Sequence, residues 1–216
     1  MTQTKNNIDN KRMAKNTVLL YIRMFFLLLV GFYTVRLLLE TLGVEDYGLY
    51  NVIFGLVASF SFFSGAMQST IQRYLCCELG EGNQNGAKKV FSVSLFLFFI
   101  LSLIIILIAE TIGLWFVAFK LNVPVGKTQI AHIVFQVSIV MTIFKVLQIP
   151  YIAAITSHEN MGIYAKISIL DYALHLGSVL VLKLLAENRL IYFTIFYTIS
   201  NITVFAVYIA YCCKKL

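Results

Sequence analysis

The hydrophobic positions of the chain form six long runs, which short polar segments separate. The runs cover residues 15–40, 46–74, 88–119, 128–155, 161–186 and 189–212. Each run is longer than the roughly 20 residues that an α-helix needs to cross about 30 Å of hydrocarbon. The runs lack the two-residue alternation of barrel strands. The pattern therefore predicts an all-α fold, a polytopic membrane helix bundle with about six transmembrane helices.

The composition agrees with a membrane protein and excludes an ordinary soluble domain. Of the 216 residues, 60% are hydrophobic and 12% are charged, and the mean hydropathy is +0.85. The first run follows Lys11, Arg12 and Lys15, as in a signal peptide, but its apolar part is longer than the roughly 7–15 residues of a signal sequence. No small-x-small cleavage site precedes Arg36. We therefore expect this run to stay attached as the first transmembrane helix.

The distribution of Lys and Arg predicts the orientation. With a cytoplasmic N-terminus, about 10 of these residues lie on the cytoplasmic side and about 5 on the outer side, in line with the positive-inside rule. Both termini then face the cytoplasm, with residues 1–14 as a tail, 15–213 as the six-helix transmembrane lobe and 214–216 as the cytoplasmic end. The net charge of +7 reflects this bias and an attraction to membrane lipids, so we expect no nucleic-acid partner.

The acidic segment "ETLGVEDYGLYNVI" separates the first two runs. Gly43 supplies a permissive backbone for a turn between two helices. Glu45 and Asp46 follow at the start of the second helix, where the positive helix end favours carboxylates. We expect this turn on the outer side.

Small residues recur near four-residue spacing in the segment "GLVASFSFFSGAMQST" of the second run. They are Gly55, Ser59, Ser61, Gly65 and Ser69. Such spacing allows a second helix to approach the backbone closely, so helix packing is the favoured interpretation and substrate contact the alternative.

Three segments of the chain resemble a known transporter family. They are "RLLLETLGVEDYGLYNVIFGLVASFSFFSGAMQSTIQRYL", then "ELGEGN", and later "LQIPYIAAITSHENMGIYAKISILD". They are similar to the polysaccharide biosynthesis flippases, the O-antigen and capsule translocases of bacteria, within the multidrug and oligosaccharidyl-lipid exporter superfamily. The resemblance covers nearly the whole chain. It implies a multi-pass protein of the bacterial cytoplasmic (inner) membrane.

The family implies a two-lobed transporter of twelve to fourteen helices. This chain has about six and so resembles the N-terminal lobe, either as a fragment or as a lobe that needs a C-terminal lobe or partner chain. The implied function is to flip lipid-linked oligosaccharide precursors from the cytoplasmic to the outer leaflet for surface polysaccharide synthesis. A drug or cation exporter of the same superfamily and a non-transporting membrane scaffold lobe are the alternatives.

An enzymatic function is not expected. The sequence offers neither paired carboxylates nor a Ser–His arrangement nor a metal-ligand cluster at membrane-surface depth. We therefore assign no catalytic residue, metal site or cofactor.

Ionisable residues inside the apolar runs are the candidates for a substrate or ion pathway, because a charge at the bilayer centre costs about 2.5–3.5 kcal/mol on insertion scales. Asp171 lies about ten residues into the fifth run, roughly 15 Å deep, and His175 follows at i+4 on the same helix face. One interpretation is a proton- or ion-responsive pair beside the translocation cavity. The other is a hydrogen bond that holds helices together.

Two cations complete the pathway candidates. Arg23 lies about eight residues past Lys15, where it either faces a cavity and binds a pyrophosphate through paired hydrogen bonds or extends toward the cytoplasmic surface. Lys145 has the same two options, and its position five residues before Pro150 favours the surface.

Gating or hinge positions are also suggested. Pro150 removes a backbone hydrogen bond from the fourth helix and marks either a hinge or a static kink. Arg36 and Glu40, at i and i+4, are expected to pair near the outer surface, where they would gate the outer mouth or only form an exposed ion pair.

Overall fold

The computed structural model describes residues 2–59, 62–119, 127–183 and 188–215. These residues form α1 (Thr2–Ser59), α2 (Phe62–Gly80), α3 (Gln84–Ile108), a π-helical turn (Ala109–Gly113), α4 (Leu114–Phe119), α5 (Thr128–Ser157), α6 (Met161–Leu182) and α7 (Arg189–Lys215). No strand occurs in the described residues. The predicted all-α bundle is confirmed.

The range assigned to α1 contains two helices that meet at Gly43. This residue has φ 79° and ψ 170°, which interrupts the helical backbone. The apolar part of α1, Asn16–Ser59, has 44 residues. It would measure roughly 66 Å if straight, about twice the hydrocarbon thickness. Leu38 before Gly43 and Tyr50 after it line the same cavity, so the chain turns back at Gly43, as predicted.

Among the described residues, five helical ranges are long and apolar enough to cross a membrane, and the chain is a multi-pass membrane protein. They are Asn16–Ser59, Gln84–Val117, Thr128–Ser157, Met161–Leu182 and Arg189–Lys214. The predicted run 46–74 is divided between the end of α1 and the start of α2. The predicted run 161–186 matches α6 up to Leu182, and its last residues, 184–186, lie outside the described residues.

Helix α5 is the centre of the packing. Near Gly43, its Phe135 and Ile139 form a buried cluster with Ile53 of α1. Toward Ser157, its Ala153 belongs to a second cluster with residues of α2 and α3, among them Leu75, Ala87 and Phe98. We call the two ends of the bundle the Gly43 end and the Asn83 end, after the turn between α1's two helices and the turn between α2 and α3.

The Gly43 end is held by two polar contacts. Lys127 Nζ, just before α5, lies 2.6 Å from Asp46 Oδ1 and 3.3 Å from Glu45 Oε2. The hydrogen bond to Asp46 is the main cause that raises the pKa of Lys127 above 10.5, although desolvation opposes it. Arg189 Nη1 donates to the carbonyl oxygen of Thr41 at 2.9 Å. This carbonyl belongs to the last turn before Gly43, where helical carbonyl groups generally need partners from outside their helix.

Two of the small residues, Gly55 and Gly65, do not mediate close helix packing, and Ser61 lies outside the described residues. A Cβ atom added at Gly55 or Gly65 would have no neighbouring atom within 4 Å. The packing interpretation is therefore wrong at these two positions, because open space faces the backbone there. Gly55 instead lines a cavity, described below.

The predicted orientation is testable with single cysteines at the two ends of the bundle. In a background with Ser at Cys76, Cys77, Cys212 and Cys213, a membrane-impermeant maleimide added to intact cells should label Val44→Cys. Val44 is 80% exposed and directly follows Gly43, whose turn is predicted to lie on the outer side. The predicted orientation also places Asn122 on the outer side, and this residue lies outside the described residues.

The matched probe at the opposite end is Asn83→Cys. Asn83 is also exposed and lies in the turn between α2 and α3. It should be labelled only after the membrane is permeabilised. Labelling of Asn83→Cys in intact cells would reverse the orientation.

Candidate functional site

A cavity of about 550 Å³ lies between α1, α5, α6 and α7, and we call it the central cavity. Its lining is polar and aromatic in the middle of apolar helices. The polar and aromatic lining residues are Thr34, Tyr47, Tyr50, Asn51, Lys145, Gln148, Asp171, Tyr172, His175 and Tyr197. Apolar helices bury such side chains only when these find partners or line a water-accessible space. The central cavity is therefore the main candidate site.

Lys145, Tyr197 and His175 form a contact chain along one wall of the central cavity. Lys145 Nζ donates to the Tyr197 hydroxyl oxygen at 3.0 Å and lies 4.9 Å from the centre of the same ring. The His175 ring stacks on Tyr197 with 4.1 Å between centroids. Three helices, α5, α6 and α7, thus place a cation, a phenol and an imidazole side by side.

Asp171 and His175 line the central cavity together, as their i, i+4 spacing on α6 suggested. Asp171 Oδ1 and His175 Nε2 are buried and have no hydrogen-bond partner among the described residues. These two atoms are therefore not engaged in the helix-packing hydrogen bond that was the simpler interpretation. A buried polar atom without a partner is costly, and such atoms in a cavity are available to a ligand, a proton or water.

Lys145 differs from its sequence-based expectation. Its ammonium group contacts Tyr197 inside the bundle and does not extend to the membrane surface. Because α5 continues through Pro150 to Ser157, Lys145 lies twelve residues, or roughly 18 Å, from the end of its helix. This distance is too long for the side chain to cover, so the ammonium group finds its partner in the interior.

A second cavity, of about 480 Å³, adjoins the central cavity. The two share Tyr50, Asn51, Lys145 and Tyr197 as lining residues. The second cavity extends to α2, where the buried hydroxyl oxygen of Ser64 has no hydrogen-bond partner among the described residues. Lys145 thus stands between two spaces that together run along the inner face of α5.

Arg23 lies outside the central cavity. Its Nη2 donates to the Tyr164 hydroxyl oxygen at 3.2 Å, and its guanidinium carbon lies 4.3 Å from the centre of that ring. Its Nε is buried and has no hydrogen-bond partner among the described residues. Arg23 also lines an apolar groove of about 370 Å³ with Leu28 and Tyr172. Tyr172 lines the central cavity as well, so the groove and the central cavity share this residue.

The proposed gate pair is not formed. Glu40 Oε2 lies 3.9 Å from Lys183 Nζ at the end of α6, with side chains that are 65% and 46% exposed. Arg36 is exposed, whereas its neighbours Leu37 and Leu38 are buried. The expected Arg36–Glu40 pair is therefore wrong, because a neighbouring helix supplies the cation. Pro150 lies within the continuous helix α5, and its role as a hinge stays a prediction.

The structure adds residues that the sequence reading missed. Gln148 lies one turn after Lys145, lines the central cavity and donates to the carbonyl oxygen of Asn201 at 3.3 Å. In the sequence, Gln148 follows Lys145 by three residues, and this spacing could have placed both side chains on the same face of the helix. The Tyr50 and Tyr197 rings looked like ordinary membrane aromatics in the sequence, and no local signal marked them as cavity walls.

Glu110 is a second carboxylate within an apolar span. It lies in the π-helical turn and accepts a hydrogen bond from Gln136 of α5 at 3.2 Å. Next to it, a Cβ atom at Gly113 would come within 2.5 Å of the buried Phe135 ring, so α5 packs directly against the backbone of this turn. Glu110 has a protein partner and does not line the central cavity.

Comparisons with protein-family models, with curated proteins and with solved structures find no match to this chain.

Proposed function

We propose that this chain is one lobe of a membrane transporter that flips lipid-linked oligosaccharide precursors from the cytoplasmic to the outer leaflet of a bacterial membrane. The observation that carries the proposal is the central cavity, in which Lys145 lies among tyrosines, amides and an unpaired carboxylate oxygen of Asp171. Its volume of about 550 Å³ is within the usual range of ligand sites.

The lining matches the chemistry of such a substrate. A lysine ammonium binds phosphate as a point charge. Amides and carboxylates such as Asn51, Gln148 and Asp171 pair with sugar hydroxyls as donors and acceptors. Tyrosine presents an apolar ring face and a polar hydroxyl. The proposal also includes a C-terminal lobe or partner chain that closes the pathway, since rocking of two lobes exposes a site to each side in turn.

An exporter of organic cations is the second candidate. The observation in its favour is the Asp171 carboxylate among aromatic rings, which suits a cation. Lys145 in the same cavity opposes it, because a fixed ammonium repels a cationic ligand. A scaffold lobe without transport would bind neither class of ligand in this cavity.

Ligand binding to the purified full chain separates these candidates. We expect a water-soluble, short-chain isoprenyl-pyrophosphate sugar to raise the thermal unfolding midpoint in detergent. Lys145→Met should weaken its binding about tenfold or more, because it removes a charge-assisted hydrogen bond in a buried site. Lys166→Met is the matched control, since Lys166 is exposed on α6 and lines none of the described cavities.

The same titration with tetraphenylphosphonium tests the alternative. The cation exporter would replace the flippase proposal if the chain binds this cation more tightly than the pyrophosphate sugar. In that case Asp171→Asn should weaken the binding of the cation and Lys145→Met should strengthen it. If neither probe binds, the scaffold lobe without transport remains as the candidate function.

Although Arg23 does not line the central cavity, the proposal includes binding of the pyrophosphate group by Arg23 in its own groove, through bidentate hydrogen bonds. The measured quantity is the amount of a fluorescent lipid-linked pyrophosphate sugar that stays bound to the detergent-solubilised chain. Arg23→Lys should retain part of this binding, because the positive charge is kept. Arg23→Ala should lose most of it. Arg36→Ala is the matched control, because Arg36 is the exposed arginine of the same helix. Full retention by Arg23→Ala would show that Arg23 only packs against Tyr164.

A further inference from the structure

A separate apolar groove of about 240 Å³ lies at the Asn83 end, between α2, α3, α5 and α7. Its walls are largely apolar, with Leu79, Phe91 and Leu95 among them. Lys88, near the start of α3, is the only lysine or arginine among its described lining residues. The groove shares no lining residue with the central cavity and is independent of the proposed function.

The position of the polar residues gives the groove a direction. Gln84 and Lys88 lie in the first turns of α3, and His158 lies just after the end of α5. From Lys88 to Leu95 the groove follows α3 for seven residues, roughly 10 Å. This length is about two-thirds of one hydrocarbon leaflet, which is about 15 Å thick. The groove therefore has a cationic mouth at the helix ends and an apolar interior at acyl-chain depth.

Two carboxylates close to the mouth, Glu78 and Glu159, do not line the groove. Glu78 Oε2 accepts a hydrogen bond from Asn83 Nδ2 at 2.8 Å and does not line the groove. Glu159 is exposed and likewise does not line it. Among the described residues that line the groove, Lys88 thus carries the permanent charge.

We propose that this groove binds one anionic phospholipid of the surrounding membrane, with an acyl chain along Phe91 and Leu95 and the phosphate at Lys88. The membrane supplies this ligand, because the chain is a multi-pass membrane protein and the groove lies within the apolar span Gln84–Val117. A lysine close to the membrane surface favours anionic lipid by about fivefold per charge. A ligand without an acyl chain would leave the apolar walls empty.

A native cysteine reports on occupancy of the groove. Cys213 is exposed and lines the groove, whereas Cys76 is exposed and does not. In the full-length chain in detergent, dioleoyl phosphatidylglycerol should slow the reaction of Cys213 with maleimide relative to Cys76. The reaction at each cysteine is followed by peptide mass spectrometry. Glycerol phosphate, which has no acyl chain, should not slow it.

Two adjacent lysines provide matched variants. Lys88→Gln should raise the phosphatidylglycerol concentration for half-protection of Cys213 about fivefold. Lys89→Gln removes a charge from the neighbouring exposed position, which does not line the groove, and should leave it unchanged.

Four outcomes would overturn the proposal. They are the absence of protection by phosphatidylglycerol, equal protection by dioleoyl phosphatidylcholine, protection by glycerol phosphate alone, and equal effects of the two lysine variants. The second would show that general exchange of lipid for detergent governs the reaction, and the fourth would show that the overall surface charge does. The third would show a simple phosphate site.

Discussion

Alanine in place of Gly43 should destabilise the folded chain by about 1–3 kcal/mol. Gly43 has φ 79° and ψ 170°, a backbone region that is essentially restricted to glycine. The residue joins the two helices of α1, so relaxing it to an ordinary conformation would move one of them. A loss of this size is measurable as a lower unfolding midpoint and a smaller folded fraction in detergent.

Gly48→Ala isolates the backbone effect. A Cβ atom at Gly43 or at Gly48 meets no atom within 4 Å, so neither substitution creates a clash. Gly48 is helical, and alanine there should be neutral or stabilise the chain by about 0.5–1 kcal/mol. The two variants add the same methyl group to the same structural range. An equal response of both would mean that the conformation of Gly43 does not hold the turn.

Replacing Asp171 with asparagine should abolish most of the pH dependence of transport by the assembled transporter while the lobe stays folded. Asparagine has nearly the same shape and cannot ionise. Asp171 lies about 15 Å along α6, close to the middle of its 22 residues, where a charge is costly. The variant should therefore be at least as stable as the natural chain. Loss of a pH response together with unchanged or higher stability would indicate a carboxylate kept for its ionisation.

Glu110→Gln is the matched control for this experiment. Glu110 is also a carboxylate within an apolar span, but Gln136 is its hydrogen-bond partner and it lies outside the central cavity. Its replacement should leave the pH profile of transport unchanged. If Asp171→Asn shows the same pH profile of transport as the wild-type chain, at normal membrane abundance, then Asp171 and His175 only contribute to helix packing.

The sequence predicted the local features of the fold well. The all-α class followed from apolar runs long enough to cross a bilayer, because backbone groups in hydrocarbon must be paired within the helix. The turn at Gly43 followed from a glycine within a polar interruption. The shared face of Asp171 and His175 followed from helical spacing alone. Each of these inferences depends only on residues that are close in sequence.

Pairings between helices were predicted poorly. Glu40 was assigned to Arg36 on its own helix, whereas its partner is Lys183 of α6. Lys145 was assigned to the membrane surface, whereas its ammonium group contacts Tyr197 of α7. In both cases the partner is far away in sequence, and helix packing decides which side chains meet.

The sequence by itself determined that this chain is a helical membrane protein, where its helices run and where the first one turns back. Hydropathy, helical rise and glycine's backbone freedom act locally, so they can be read without tertiary structure. Only the tertiary structure decided that Lys145, Tyr197 and Asp171 share one cavity, and that the small residue Gly55 faces open space. The rotation of each helix about its axis and its distance from its neighbours decide these contacts, and both depend on the packing of the whole bundle.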